Sequence, residues 1–277
     1  NCFGVANPYL NLDTTFSKLS AKKGDIAFIA QSGALWSYLA DVSNLNKKVG
    51  FSAYISLGNM ADLEFDDFIE YFNKDKKTKK IILYIEKLKD GKRFIEACKR
   101  SKKKIIAVKA GRTKKGTEAT LSHTGSLATD FEIYKGVFKQ SGIKLENSLS
   151  SAFGIKRGEI KPKGKNIAIV TNAGGAGALL TDYLIEKKYN VNKPIDLIGT
   201  ALAEDYKNAF DKLKNLDIDS VIAILTPQSM SQPEKTAEEI VKFSKFKPTI
   251  ALFLGRNSIK KAKQILIKNR IPCFTNI

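Results

Sequence analysis

A repeat constrains this chain more than any other feature of its sequence. The apolar run at residues 24–30 is matched by one at 164–170, and that at 81–86 by one at 221–226. The segment 104–112, ending in Gly111-Arg112, is matched by 248–256, ending in Gly255-Arg256. The spacing stays near 140 residues, about half of the 277, and points to two copies of one folding unit. Each copy alternates runs that are apolar at every position with amphipathic stretches of helical period. Strands buried on both faces and separated by helices belong to a parallel sheet covered on both sides. The pattern therefore predicts an α/β chain of two tandem flavodoxin-like, doubly wound parallel-sheet domains. In the first copy, strands are expected near 25–30, 51–56, 81–85, 104–109 and 143–146, and helices near 33–45, 64–73, 91–101 and 130–140. In the second, strands are expected near 166–171, 191–192, 220–225, 249–253 and 272–274, and helices near 176–188, 201–214, 233–244 and 257–269. A polar connection around 153–164 joins them.

At 43% hydrophobic residues the chain can bury real cores, which excludes a disordered polymer. No run approaches the roughly 18 apolar residues of a membrane span, so no membrane partner is expected. The opening Asn1-Cys2-Phe3-Gly4 is not a secretory leader, and without an initiator Met the sequence reads as a fragment or a processed chain. Cys2, Cys98 and Cys273 fit neither a disulfide framework nor a metal-ligand spacing. They suit a reducing cytoplasm, and no metal site is expected. The net charge of +19 invites a nucleic-acid reading, but only 6 of the 47 basic residues are Arg. Base and phosphate recognition favours the Arg fork. No aromatic ladder interleaves the Lys runs near 76–80, 99–104 and 260–263. The charge fits solvated helix faces, and a field that steers polyanionic substrates, better than a nucleic-acid surface.

Function is to be sought where strands lead into helices and where the copies differ. The first strand of copy one runs into Gln31-Ser32-Gly33-Ala34, and that of copy two into Asn172-Ala173-Gly174-Gly175-Ala176-Gly177. Small residues let a ligand approach the backbone, and a helix start supplies free N–H groups and partial positive charge. Ser32 and Gly33, and Gly174, Gly175, Ala176 and Gly177, are therefore the candidate phosphate-binding residues. Neither loop is a Walker A motif or a complete dinucleotide fingerprint.

Copy one alone carries an insertion after Arg112, expected to be a loop over 113–126, and it holds His123, the single histidine of the chain. With no second His or paired Cys, a metal role is poorly supported. A general base or a nucleophile remains, including a phosphoryl acceptor. An acceptor imidazole needs one nitrogen free, the other held by a partner, and an anion site for the phosphoryl oxygens. Glu86, at the carboxyl end of the strand 81–85 where copy two has Pro227, can orient the ring. A Ser32–His123 hydrolase is the weaker rival: Ala30 stands where a nucleophile elbow has Gly, and copy two has no Ser in its loop.

These motifs resemble the ADP-forming acyl-CoA synthetase family of the acetate–CoA ligase type and, more distantly, the α chain of succinyl-CoA synthetase. The resemblance runs through Ser32-Gly33-Ala34-Leu35, Tyr84-Ile85-Glu86, Ser122-His123-Thr124-Gly125, Asn172-Ala173-Gly174-Gly175-Ala176-Gly177 and Leu225-Thr226-Pro227-Gln228. It implies interconversion of acyl-CoA, ADP and phosphate with acid, ATP and CoA, through acyl phosphate and a phosphohistidine. In that scheme His123 carries the phosphoryl group, Glu86 orients it, and the two helix starts hold it from either side. The resemblance also implies a division into residues 1–16, the remnant of an upstream CoA-binding domain; 17–152, the unit with the phosphohistidine; and 153–277, the second unit. CoA and ADP or ATP would be substrates rather than tightly bound cofactors. Mg2+ would accompany the nucleotide on an ATP-grasp domain or subunit that this chain lacks, in a hetero- or homo-oligomer. Some relatives use the same unit, often without the histidine, as a regulatory part of a protein acetyltransferase that binds acyl-CoA or nucleotide without catalysis; His123 favours the catalytic version.

Overall fold

A computed structural model describes residues 2–46, 48–124, 130–156 and 158–277, with the side chains of 121–124 outside the described residues. The first part of the chain forms β1 (Val5–Asn7), β2 (Leu12–Asp13), β3 (Lys23–Ala30), α1 (Ala34–Leu45), β4 (Phe51–Ser56), α2 (Phe65–Lys74) and β5 (Lys80–Ile85). It continues through α3 (Gly91–Arg100), β6 (Lys104–Lys109), α4 (Lys114–Thr124), α5 (Phe131–Gln140), β7 (Lys144–Glu146) and α6 (Leu149–Ala152). The second part forms β8 (Asn166–Thr171), α7 (Gly174–Glu186), β9 (Asn190–Val191), β10 (Ile195–Asp196), α8 (Ala203–Leu213), β11 (Ser220–Leu225), α9 (Pro233–Phe243), β12 (Thr249–Phe253), α10 (Lys260–Lys268) and β13 (Cys273–Phe274).

Among the described residues these strands make two sheets, ordered β2-β1-β4-β3-β5-β6-β7 and β10-β8-β11-β12-β13, with β9 also on β8. From β4 to β7 and throughout the second sheet the pairing is parallel. Each sheet thus has the doubly wound order whose switch point lies beside its first strand, here β3 and β8. Residues 5–13 form β1 and β2 and extend the first sheet, β1 lying antiparallel on β4.

The period of two within the strands sorts the core. On β3, Phe28 and Ala30 face the second sheet's side of the molecule, while Ala27 and Ile29 face outward under α2 and α3. On β8 and β11, Ile167, Ile169, Ile222 and Ile224 join the same central cluster as Phe28, and Ala168, Val170, Val221 and Ala223 face a third cluster. The central cluster is therefore shared by both sheets. It is threaded by α1 and α7, whose residues are buried almost all round, as expected of helices apolar on every face. Trp36 of α1 stacks on Tyr54 of β4 with ring centroids 4.3 Å apart.

One expectation is corrected. The insertion after Arg112 is largely a helix, α4, rather than a loop. Gly116 and the threonines of this stretch weaken its intrinsic helical signal. A cap and a neighbouring helix override that weakness: the Thr113 hydroxyl accepts from the Gly116 N–H at 3.0 Å, and α4 packs along α7 with Ala119 in the central cluster. Gly125 and Ser126 lie outside the described residues.

Candidate functional site

The switch points of the two sheets bring the two glycine-bordered helix starts face to face. Gly33 precedes α1 and Ala173 precedes α7; neither helix start has a side-chain cap bond or an acidic residue in its first turn. Their leading N–H groups and positive dipole ends are left for a ligand. The approach is close enough that a Cβ on Gly175 would lie 2.5 Å from the Ser32 hydroxyl oxygen and 2.7 Å from the Tyr84 oxygen. Ser32, Gly33 and Gly174 line one cavity of about 480 Å³. Ala176 and Gly177 are buried behind this rim, and the Gly177 N–H is committed to the Ala173 carbonyl at 3.0 Å.

Glu86 follows β5 and is buried. Its backbone is fixed by Gln31, whose side-chain oxygen accepts from the Glu86 N–H at 2.6 Å and from the Lys87 N–H at 2.8 Å. Gln31 therefore ties the carboxyl end of β5 to the loop that opens α1. Tyr84, two residues before Glu86, donates its hydroxyl to the Gly175 carbonyl at 3.1 Å and links the first sheet to the first turn of α7. Burial, together with the neighbouring negative charge of Glu86, holds the Tyr84 phenol well above its ordinary range, so it stays a donor.

A buried cation completes this edge. Lys109 ends β6 with 3% of its surface exposed. Its ammonium donates to the Ala110 carbonyl and lies 4.5 Å from the centre of the Tyr134 ring. Burial pulls its pKa down to about 8, against the opposing pull of Asp182 and Glu86. Asp182, fully buried on α7, accepts from the N–H groups of Gly111 at 2.8 Å, Arg112 at 3.0 Å and Thr113 at 2.8 Å, and from the Thr113 hydroxyl at 2.9 Å.

His123 lies in the last turn of α4, and its side chain is outside the described residues. The direction of α4 is set at its other end. Gly116 sits against Asp182, and Lys115 reaches Asn190 and Val191 beyond the end of α7. Since α4 packs along α7 from that end, it runs back toward the start of α7. Asp182 is about 12 Å along the axis from Gly174, and Thr124 about the same distance from Gly116, at 1.5 Å per residue. The last turn of α4 is thus carried toward the turn that holds Gly174 and Gly175.

Gln31, Tyr84, Lys109 and Asp182 were not singled out by sequence reasoning. The discernible signals were a Lys closing an apolar strand where copy two has Phe253, and an Asp inside the apolar run 178–184. Among the described residues no group of three or more His, Cys, Asp or Glu is arranged to hold a metal ion. No described helix is long and apolar enough to cross a membrane.

Residues 23–157 match the family model described as succinyl-CoA ligase like flavodoxin domain. The chain is 40% identical to the acetate–CoA ligase [ADP-forming] II subunit alpha of Pyrococcus furiosus, over 99% of this chain and 66% of that subunit. It is 34% identical to acetate–CoA ligase [ADP-forming] I of Archaeoglobus fulgidus, over 99% of this chain and 43% of the relative. Among solved structures it is similar to the dinucleotide forming acetyl-coenzyme A synthetase 1 of Ca. Korarchaeum cryptofilum in complex with phosphate and ADP. That match has 32% identity and a TM-score of 0.52 over 100% of this chain and 66% of that one. The chain therefore spans about two thirds or less of the length of these relatives. The doubly wound pair of sheets, the opposed glycine-bordered helix starts and these likenesses together show that the chain belongs to the ADP-forming acyl-CoA synthetase family.

Proposed function

We propose that this chain is the phosphoryl-relay part of an ADP-forming acid–CoA ligase. A phosphate oxygen attacks the thioester carbon of acyl-CoA, the C–S bond breaks, and the thiolate leaves and takes up a proton as CoA. A nitrogen of His123 then attacks the phosphorus of the acyl phosphate, the P–O bond breaks, and the acid leaves as carboxylate. Finally the terminal phosphate oxygen of ADP attacks the same phosphorus, the P–N bond breaks, and ATP is formed. Glu86 orients the imidazole and stabilises its charged form. The starts of α1 and α7, through Ser32, Gly33, Gly174, Gly175 and Ala176, hold the phosphoryl oxygens between two positive dipole ends. Gly177 supports that turn by packing rather than by its N–H.

The observation that carries this reading is the closeness of the two helix starts, Gly175 against Ser32, with Tyr84 bonded to the Gly175 carbonyl and Glu86 two residues beyond it at the end of β5. The nucleotide, its Mg2+ and the final transfer belong on an ATP-grasp domain or subunit, and the bulk of CoA on a CoA-binding domain upstream. Residues 17–152 and 153–277 act as the two jaws of the phosphoryl site. The setting is cytoplasmic, where acyl-CoA and nucleotide are available, and the partners do not include nucleic acid.

The test is labelling. With its ATP-grasp partner and ATP carrying a labelled γ-phosphate, the chain takes up acid-labile, alkali-stable label, and His123→Ala does not. Equal labelling of His123→Ala defeats the relay. Acyl-CoA binding with no label on either form would instead favour the regulatory reading.

A further inference from the structure

Lys109 is a charge held where a hydrocarbon would serve the fold better. It closes β6 with 3% of its surface exposed, at the end of a strand whose Ile105 and Ala107, four and two residues earlier, belong to the outer apolar cluster. The second half of the molecule has a hydrocarbon at the same place. Lys109 pairs in register with Ile85, and Phe253 pairs in the same way with Leu225. The Ala110 N–H donates to the Ile85 carbonyl at 3.1 Å, and the Leu254 N–H to the Leu225 carbonyl at 2.8 Å. Phe253 is fully buried in its own outer cluster. An ammonium in place of a phenyl ring carries a desolvation penalty that packing alone does not offset.

A second difference accompanies the first. The Glu86 N–H donates to the Gln31 side-chain oxygen at 2.6 Å, and the Thr226 N–H to the Asn172 side-chain oxygen at 2.8 Å. Thr226, rather than Pro227, is therefore the structural counterpart of Glu86. A cation and a carboxylate thus enter together, at neighbouring strand ends, in the half that carries His123; the other half has Phe253 and Thr226. The ammonium is held next to the turn that follows Glu86. It lies 4.5 Å from the centre of the Tyr134 ring, a cation–π contact. The Tyr134 hydroxyl accepts from the N–H of Leu88, two residues beyond Glu86, at 3.1 Å.

Asp182 and Glu86 are the negative charges that reach the ammonium. The clasp made by Asp182 does not call for a lysine. Its counterpart Asp41 gathers the amides of Arg256, Asn257 and Ser258 with Phe253 at the equivalent strand end. Glu86 is the partner that the second half lacks. Among the described residues, Tyr84 from β5 and Tyr134 from α5 also face this pair. The Tyr84 phenol, raised by burial and by Glu86, stays neutral.

We propose that Lys109 is a positioning residue of the relay, whose ammonium keeps the buried Glu86 carboxylate ionised at neutral pH and so ready to orient the His123 ring. The inference rests on the relay reading for what Glu86 does. An opposite charge at close range lowers a carboxyl pKa by about one to three units, and its removal raises it by as much. Lys109→Met should therefore let Glu86 take up a proton at a pH where the native protein keeps it ionised.

The test follows the rate of labelling of the chain by its ATP-grasp partner and ATP from pH 5.5 to 9.5. Native protein and Lys109→Met meet the same partner, so its own pH dependence cancels in their ratio. The acid limb is expected to move up by about one pH unit or more in Lys109→Met, which makes it about ten-fold slower at pH 6. The two profiles should approach each other above about pH 9, because the native lysine, with its pKa lowered to about 8, is then neutral as well. In a Glu86→Gln background, Lys109→Met should change the rate by no more than about two-fold at any pH. An unchanged profile, or a loss by the same factor at every pH, would overturn the proposal. So would a shift that persists in Glu86→Gln, which would mean that the ammonium acts on the ring directly.

Urea unfolding of the same four proteins at pH 7 tests the pair without the relay. Lys109→Met is expected to shift the equilibrium toward the folded state by about ten-fold more in Glu86→Gln than in the native background, where it also removes an attraction. Coupling of less than about two-fold would sink the pair, even if His123 is labelled. Full coupling in a native chain that takes no label would sink the relay and leave the pair standing.

Discussion

Asp41 and Asp182 stand at equivalent places in α1 and α7, and each reaches across to the Gly-Arg turn of the other half of the molecule. Asp182 collects the amides of 111–113; Asp41 accepts from the amides of Arg256 at 2.6 Å, Asn257 at 3.1 Å and Ser258 at 3.2 Å, and from the Ser258 hydroxyl. Both are fully or almost fully buried. The repeat thus survives as a reciprocal clasp. Only one side of it leads into an inserted helix, so only one side bears on the proposed relay.

Replacing either aspartate by asparagine puts a donor where several N–H groups need an acceptor. Each change is expected to cost about 2–4 kcal/mol in urea unfolding, the cost of breaking a buried charge-assisted network. The two should part company in labelling. Asp182→Asn frees the first turn of α4 and is expected to slow phosphohistidine formation at least ten-fold at a temperature where both variants are folded, a loss of about 1.4 kcal/mol or more in the barrier. Asp41→Asn should stay within about two-fold of the native rate. Similar loss in both would mean that α4 takes nothing from its clasp beyond stability.

The positioning of Glu86 can be tested through two side chains. Glu86→Gln keeps the shape and removes the charge; phosphohistidine formation is expected to fall by roughly 10², the size typical of an orienting partner. Gln31→Ala leaves the Glu86 and Lys87 amides without their acceptor. It should cost about 1–3 kcal/mol of stability and lower the labelling rate as well. Native labelling rates in Glu86→Gln would remove that residue from the relay, whatever Gln31→Ala does.

Lys109 gives a pH signature. Its folded pKa, about 8, lies below the unfolded value of about 10.4. Below pH 8 the residue is charged in both states, and the folded protein bears the whole desolvation penalty. Between about pH 8 and 10.4 the unfolded chain binds the extra proton, so stability rises with pH across that window. Lys109→Met is expected to abolish this rise and to be the more stable protein at pH 7. Denaturant titrations of both proteins from pH 7 to 10.5 check it; parallel curves would show that the ammonium is better solvated than its burial implies.

Much of this architecture is legible in the residues because burial on both faces writes itself into strands such as 81–85, 104–109 and 220–225 as unbroken apolar runs. The glycine-bordered starts of α1 and α7 are legible for a related reason: only small residues fit where two helices approach end to end. The helical state of 114–124 is not legible, since its support comes from Thr113 and from α7, about 60 residues away in sequence. Nor are the clasps, because a buried aspartate and the amides that satisfy it share no local pattern. Residues 5–13 carry no strand expectation because β1 and β2 are too short to show a period; their place is fixed by pairing with β4. Lys109 breaks the pattern of its strand, and such a break is the sequence signal that most often marks a site.

Gly175 offers the most direct test of the jaws. A methyl group there would meet the Ser32 hydroxyl at 2.5 Å, its Cβ at 2.7 Å and the Tyr84 oxygen at 2.7 Å. None of these is the loose end of a flexible chain: Ser32 and Tyr84 are buried, and the Tyr84 hydroxyl is bonded to the Gly175 carbonyl. Gly175→Ala must therefore push α7 away from β5 and the α1 start. The expected cost is about 1–3 kcal/mol of stability, as for other overpacked sites, together with loss of most of the histidine labelling. Gly91, at the start of α3 with nothing within 4 Å of its Cβ position, is the control. Gly91→Ala should leave labelling unchanged and be neutral or stabilising by up to about 1 kcal/mol. If Gly175→Ala labelled at the native rate while still losing stability, the two helix starts would be packed together for the fold alone, and the phosphoryl group would have to be held elsewhere.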